Sequence, residues 1–184
     1  KPDEALVTGT MTIDVAVSED SAIQVEYTKD SQSKTVYYTG LDNDDRNNDH
    51  YRDVISDLSS GYLNADTNEP ITVTLLDDIT LADTTILVDA GKKVTINGNG
   101  HTITATMSSF AEAGKPGADA VSITNDSTLT LNNVKLNIKA ADAVVLNGKT
   151  STQGIYNDGS LTLTGGTQVT INGVSKNGIN GSGD

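Results

Sequence analysis

Four groups of residues in this chain have types and spacings that suit chemistry. The run Asp42-Asn43-Asp44-Asp45-Arg46-Asn47-Asn48-Asp49 is dense in oxygen ligands, as Ca²⁺ requires, with Asp42, Asp44, Asp45 and Asp49 as candidate carboxylates. It lacks the Gly and terminal Glu of an EF-hand loop, so a solvated acidic spacer is the competing reading. Asp126 and Asp158 fall at matching places in two related segments, and stacking would bring them to ~5 Å, close enough to share Ca²⁺ or a proton. Repeated Asn-Asp turn chemistry explains the same match. His101 follows Asn97-Gly98-Asn99-Gly100, but His50 is the only other His and neither has a partner at ligand spacing, so His101 reads as a turn or surface residue. Finally, Thr95, Asn97, Thr128, Thr130, Asn132, Thr162 and Thr164 recur in three related segments and would form one hydroxyl and amide surface if those segments stack.

Composition bounds what such groups could serve. The 184 residues carry 12 basic and 25 acidic side chains, a net charge of -13, and no Cys. That charge repels phosphate backbones, so nucleic acid is not an expected partner, and the chain offers neither disulfides nor thiolate metal sites. No stretch approaches ~18 consecutive apolar residues, so membrane insertion is not expected. Gly148-Lys149-Thr150 resembles the end of a phosphate loop, but Ala143 stands where its first Gly belongs and no helical pattern follows. With no Trp and one Phe, the core must be built from Val, Ile and Leu, which suits narrow packing between sheets.

The elements that must position these groups follow from periodicity. Met11, Ile13, Val15 and Val17, then Ile23, Val25 and Tyr27, alternate with polar residues and predict a hairpin, with a third strand at Val36 and Tyr38. Tyr51, Val54, Ile55, Leu58 and Tyr62 fall at helical spacing, with Asp49 as N-cap and Gly61 as stop, and predict a short amphipathic helix. From Ile71 onward short apolar alternations are punctuated by Asn-Gly corners. Ile123 to Leu131 aligns without gaps on Ile155 to Leu163, and Val88 to Ile96 keeps the same step to an apolar-Thr-apolar triplet. The triplets place Val94, Leu129 and Leu161 inward and Thr95, Thr130 and Thr162 outward. Stacked coils are therefore expected, with Met107 to Asp119 and Lys149 to Gln153 as excursions. A hairpin sandwich is the alternative, because Asn-Gly is also a preferred hairpin turn.

Ile71 to Leu81 followed by Gly91 to Thr104 resembles the opening coils of pectate-lyase-like β-helix domains in large secreted and adhesin-like surface proteins of bacteria. Tyr37 to Tyr62 is similar to that family's entry, where a strand and a short helix precede the first coil. The resemblance covers roughly residues 50–184 and implies an all-β chain: a right-handed parallel β-helix with a capping helix, preceded over residues 1–49 by a small β segment and the acidic loop. Its motifs are structural. The implied function is that of a non-catalytic extracellular or cell-surface module, a stalk or a face for a glycan or partner surface protein, with no cofactor apart from possible calcium. Lys1 is not an initiator and the last repeat is incomplete, so further β-helix coils of the same chain are expected after Asp184.

Two other classes compete. A polysaccharide lyase or glycoside hydrolase would need clustered carboxylates and a base, but Arg46 and Arg52 both precede the repeats. Asp77-Asp78 resembles the paired aspartates of polygalacturonase-like hydrolases, whose other motifs are absent, so a solvated turn is expected there. An ice-binding solenoid would use flat Thr rows, which Lys93 and Asn97 interrupt.

Overall fold

The computed structural model describes residues 20–39, 50–58, 62–89, 91–107, 119–140, 153–174 and 178–184. The alternation of Ile, Val and Leu with Thr and Asn is realised as strands in which every second side chain is buried. The chain runs β1 (Ser21–Lys29), β2 (Gln32–Thr39), α1 (Tyr51–Ser56), β3 (Ile71–Leu75), β4 (Ile79–Ala82), β5 (Ile86–Val88), β6 (Lys93–Asn97) and β7 (Thr102–Met107). It continues through β8 (Val121–Ile123), β9 (Thr128–Asn132), β10 (Lys135–Ala140), β11 (Ile155–Asn157), β12 (Ser160–Thr164), β13 (Gln168–Asn172) and β14 (Ile179–Asn180). Three sheets result, ordered β12-β9-β6-β3-β1-β2, β13-β10-β7-β4 and β14-β11-β8-β5. Pairing is parallel throughout the second and third sheets. In the first, β1 and β2 are antiparallel additions.

This architecture corrects the expected right-handed parallel β-helix with a capping helix. The described strands make three separate, mostly parallel sheets rather than a closed, helix-capped solenoid, and the largest sheet is mixed. Its outer edge is covered by the β1–β2 hairpin, which pairs through β1 with β3. That placement satisfies the backbone groups an edge strand would leave open. The helix is only six residues long. His50, not Asp49, is its N-cap, with no side-chain cap bond, and Asp57 leaves helical geometry at φ -148°, four residues before Gly61. Val54, Ile55 and Leu58 are nonetheless fully buried, as their spacing predicts. The hairpin also differs from expectation, since β1 pairs with residues 32–39. Residues 11–17 lie outside the described residues.

The core is a set of aliphatic columns running from strand to strand. Ile71, Val94, Leu129 and Leu161 are in register across the first sheet, so the expected stack of Val94, Leu129 and Leu161 forms. Ile79, Ile103, Leu136 and Val169 make the corresponding column in the second sheet. Each fully buried Val, Leu or Ile is worth roughly 1.5–3 kcal/mol relative to exposure. At the β12–β13–β14 side the columns end in the open, with Leu163 47% and Ile179 55% exposed.

Register also corrects one inference from the repeat. Leu161 pairs with Leu129, an offset of 32, but Ile155 pairs with Val121 and Asn157 with Ile123, an offset of 34. The gapless alignment of Ile123 on Ile155 therefore fails. The connection from β8 to β9 spends residues 124–127, whereas β11 reaches β12 through Asp158 and Gly159 alone. Asp158 N–H bonds to Ile123 O at 2.8 Å, as Thr124 N–H bonds to Val88 O at 3.0 Å, so Asp158 stacks on Thr124 rather than on Asp126.

Candidate functional site

Parallel register turns the outward residues of β3, β6, β9 and β12 into rows that cross the first sheet. Thr72, Thr95, Thr130 and Thr162 form one row, and Thr74, Asn97, Asn132 and Thr164 the next. Lys93, Thr128 and Ser160 form a third, as their place before the triplets implies. Sequence reasoning thus identified seven residues that the fold brings together: Thr95, Asn97, Thr128, Thr130, Asn132, Thr162 and Thr164. These side chains are partly or fully exposed. Asn132 Nδ2 donates to Asn97 Oδ1 at 3.1 Å, and the Thr164 hydroxyl lies 3.3 Å from Asn132 Oδ1. Bonding along the row fixes the amide planes and spares part of the rotamer entropy that a ligand would otherwise have to remove.

The hairpin lengthens both rows beyond what the repeat revealed. Glu26 pairs with Thr72 and Thr35 with Glu26, extending the first. Gln24 pairs with Thr74 and Tyr37 with Gln24, extending the second to six residues over six strands: Tyr37, Gln24, Thr74, Asn97, Asn132 and Thr164. Directly paired residues share a face, so Tyr37 stands on the outer side, while Tyr38 turns inward against Tyr62, ring centroids 6.2 Å apart. Alternation in residues 23–28 and 36–38 was the available signal. The second sheet also has an outward row, Thr80, Thr104, Asn137 and Thr170, but Lys135 and Lys139 stand on the rows beside it.

One buried cation holds the hairpin in place. Lys92 is only 4% exposed, and its Nζ donates to Ala65 O at 3.1 Å and Asp66 O at 2.7 Å. Asp66 in turn accepts Asp30 N–H on Oδ1 at 2.9 Å and Ser31 N–H on Oδ2 at 2.8 Å. Asp30 and Ser31 have φ of 52° and 58°, a left-handed turn that those two bonds stabilise. The bonds from Ser31 and Asp30 hold the Asp66 carboxyl below the usual carboxylate range.

The other candidate carboxylates take separate roles. Asp158 accepts the Tyr156 O–H on Oδ2 and Ser182 N–H on Oδ1 at 2.9 Å; the phenol bond, then the Ser182 bonds, lower its pKa. Asp126 sits in a left-handed turn, φ 64°, and accepts Asn125 Nδ2 at 3.1 Å. Both line an open groove of about 340 Å³ with Ser127, Thr128, Ser160 and Asp184. They do not form the stacked pair expected of a shared-ion site. Asp78 accepts Thr102 N–H at 2.8 Å and faces His101 Nδ1 at 3.4 Å. The Thr102 bond first, and His101 second, lower the Asp78 pKa. The sequence placed His101 and Asp77-Asp78 in turns, which they are, but did not show that the two turns meet.

Asp42, Asp44, Asp45 and Asp49 lie outside the described residues. Among the described residues no three His, Asp or Glu side chains form a metal-holding group, and no helix is long and apolar enough to cross a membrane. No protein-family model, no curated protein and no solved structure matches the chain.

Proposed function

We propose that the chain is a non-catalytic, extracellular or cell-surface binding module whose working surface is the outer face of the first sheet. The observation that carries this reading is the pair of rows through Thr95–Thr130–Thr162 and Asn97–Asn132–Thr164, held in register by parallel pairing. Hydroxyls and carboxamides donate and accept hydrogen bonds without titrating near neutral pH, which suits recognition of a glycan or of a partner's polar surface. A pre-bonded row on paired strands is also rigid, and rigidity lowers the entropic cost of binding. The setting outside the cell rests on the resemblance of residues 71–81 and 91–104 to segments of secreted and adhesin-like bacterial surface proteins.

The test is a screen of the intact chain against an array of glycans and immobilised surface proteins, repeated with Asn97→Ala/Asn132→Ala and Thr130→Val. Binding that the row variants weaken, with melting temperature retained, is expected. Binding unaffected by the row variants, or turnover of polygalacturonate abolished by Asp158→Ala, overturns the reading.

A further inference from the structure

We infer that the ligand of this face is a neutral, linear polysaccharide lying across the strands, along the row Tyr37–Gln24–Thr74–Asn97–Asn132–Thr164, with the Tyr37 ring as its stacking platform. The inference rests on the binding-face reading and specifies its ligand class. Length is the first argument. Six paired strands at ~4.8 Å spacing give a track of about 24 Å. Each step is close to the advance of one extended pyranose unit, so a chain laid along the track meets about one side chain per sugar.

Chemistry along the track is the second argument. The middle is hydrogen-bonding: Asn132 donates to Asn97 Oδ1, which fixes that amide with its NH₂ as the donor end. One end is aromatic. Tyr37 is partly exposed on the outer face, whereas Tyr38 beside it is buried, so the core does not account for Tyr37. An aromatic face beside amides and hydroxyls matches a sugar, whose C–H side packs on a ring while its hydroxyls bond to polar groups. Hydroxyl rows alone would not distinguish a sugar from any polar surface. The ring in line with them adds the apolar platform on which the C–H side of a sugar packs.

Charge supplies the third argument and selects the neutral class. Glu26 is exposed on the adjacent row and Lys93 on the row beyond it, so among the described residues the face carries no cluster of cations, and the chain as a whole has a net charge of -13. The face thus offers nothing to neutralise a uronate or sulfated polymer, and the overall charge of the chain disfavours its approach. A neutral chain pays no such penalty.

The experiment is calorimetric titration of the whole chain with β-1,4-glucan and β-1,4-mannan oligosaccharides, from disaccharide to hexasaccharide, with polygalacturonate as the anionic comparison. Affinity is expected to rise with length up to about the hexasaccharide, one sugar per strand. Tyr37→Ala should weaken hexasaccharide binding about tenfold and Tyr37→Phe should preserve it, since the ring rather than the hydroxyl stacks. Gln24→Ala is a second row variant that leaves the ring in place and should lose affinity severalfold. Ser122→Ala, on the outer face of the third sheet, should change nothing. If neutral sugars bind and Asn97→Ala weakens them while Tyr37→Ala and Gln24→Ala do not, the extended track is overturned and the binding-face reading stands. If only polygalacturonate or only a protein binds, the ligand class assigned here is overturned. If neutral sugars bind and no row variant matters, both fall.

Discussion

Replacing Lys92 by Met tests how the hairpin is coupled to the parallel strands. Met keeps most of the buried stem but removes the ammonium, and with it the bonds to Ala65 O and Asp66 O. Hydrogen bonds to a charged group contribute about 1.5–3 kcal/mol each, and the lost desolvation cost of the ammonium offsets part of that sum. A net loss of about 2–4 kcal/mol is expected. It should be visible as a lower urea midpoint with unchanged slope, since the exposed area on unfolding hardly changes. Hydrogen exchange gives the location: amides of residues 24–38 should lose protection before those of β6 and β9, because the carbonyls that Lys92 holds flank the carboxylate that closes the Asp30–Ser31 turn. A double-mutant cycle with Asp66→Asn should show coupling, as both belong to one chain of bonds. A midpoint shift under ~0.5 kcal/mol, or uniform loss of protection over all three sheets, would refute the argument.

Acid should destabilise the fold through carboxylates tied to backbone N–H groups. Asp66, Asp78 and Asp158 all have folded pKa values below the ordinary one, so their contributions are complete above the unfolded value near ~3.9 and vanish as pH falls through the lower folded values. Melting temperature should therefore fall below about pH 4, and Asp66→Asn should flatten that fall; an unchanged slope in the variant would exclude Asp66 as a contributor. Gly159→Ala should be severely destabilising, because a Cβ there would stand 2.3 Å from Ser127 O and 2.5 Å from Thr124 O, both backbone atoms. A loss of about 2–4 kcal/mol in urea unfolding is expected, and a neutral variant would show that the short Asp158–Gly159 connection relaxes freely.

Much of the strand content was legible because period-two alternation has one physical cause. A side chain on every second position of a buried strand must be apolar, so Ile71-Thr-Val-Thr-Leu75 and Thr128-Leu-Thr-Leu-Asn132 announce both strand and face. The outward row Thr95, Thr130 and Thr162 followed directly from the triplets, and so did the column beneath it. Helical spacing likewise identified Val54, Ile55 and Leu58 as buried, but spacing says nothing about where an uncapped helix frays, and this one stops at Ser56. Lys92 and Lys93 look alike in sequence. One is buried against backbone carbonyls of residues 65 and 66 and the other is exposed, a difference set by a loop that no local pattern connects to them.

Register was the harder problem, and it decides the site. A single period aligns two strands only when the connections between them have equal length. Offsets along the amide row are 23 from Thr74 to Asn97, 35 from Asn97 to Asn132 and 32 from Asn132 to Thr164. No fixed repeat finds that row, and a gapless match over Ile123–Leu131 and Ile155–Leu163 fails in the third sheet because two residues are missing from one turn. Across the hairpin the numbering runs in reverse, from Gln24 to Tyr37 and from Glu26 to Thr35. Tyr37 joins the row only because an antiparallel pair meets a parallel ladder at Thr74. A slip of one residue in that junction would send Tyr37 to the buried face and Tyr38 outward. Ile23 opposite Leu75 and Val25 opposite Val73, all fully buried, make that slip costly, since it would expose Ile23 and Val25 in exchange for Gln24 and Glu26. The aliphatic face of β1 thus specifies which tyrosine the outer surface presents.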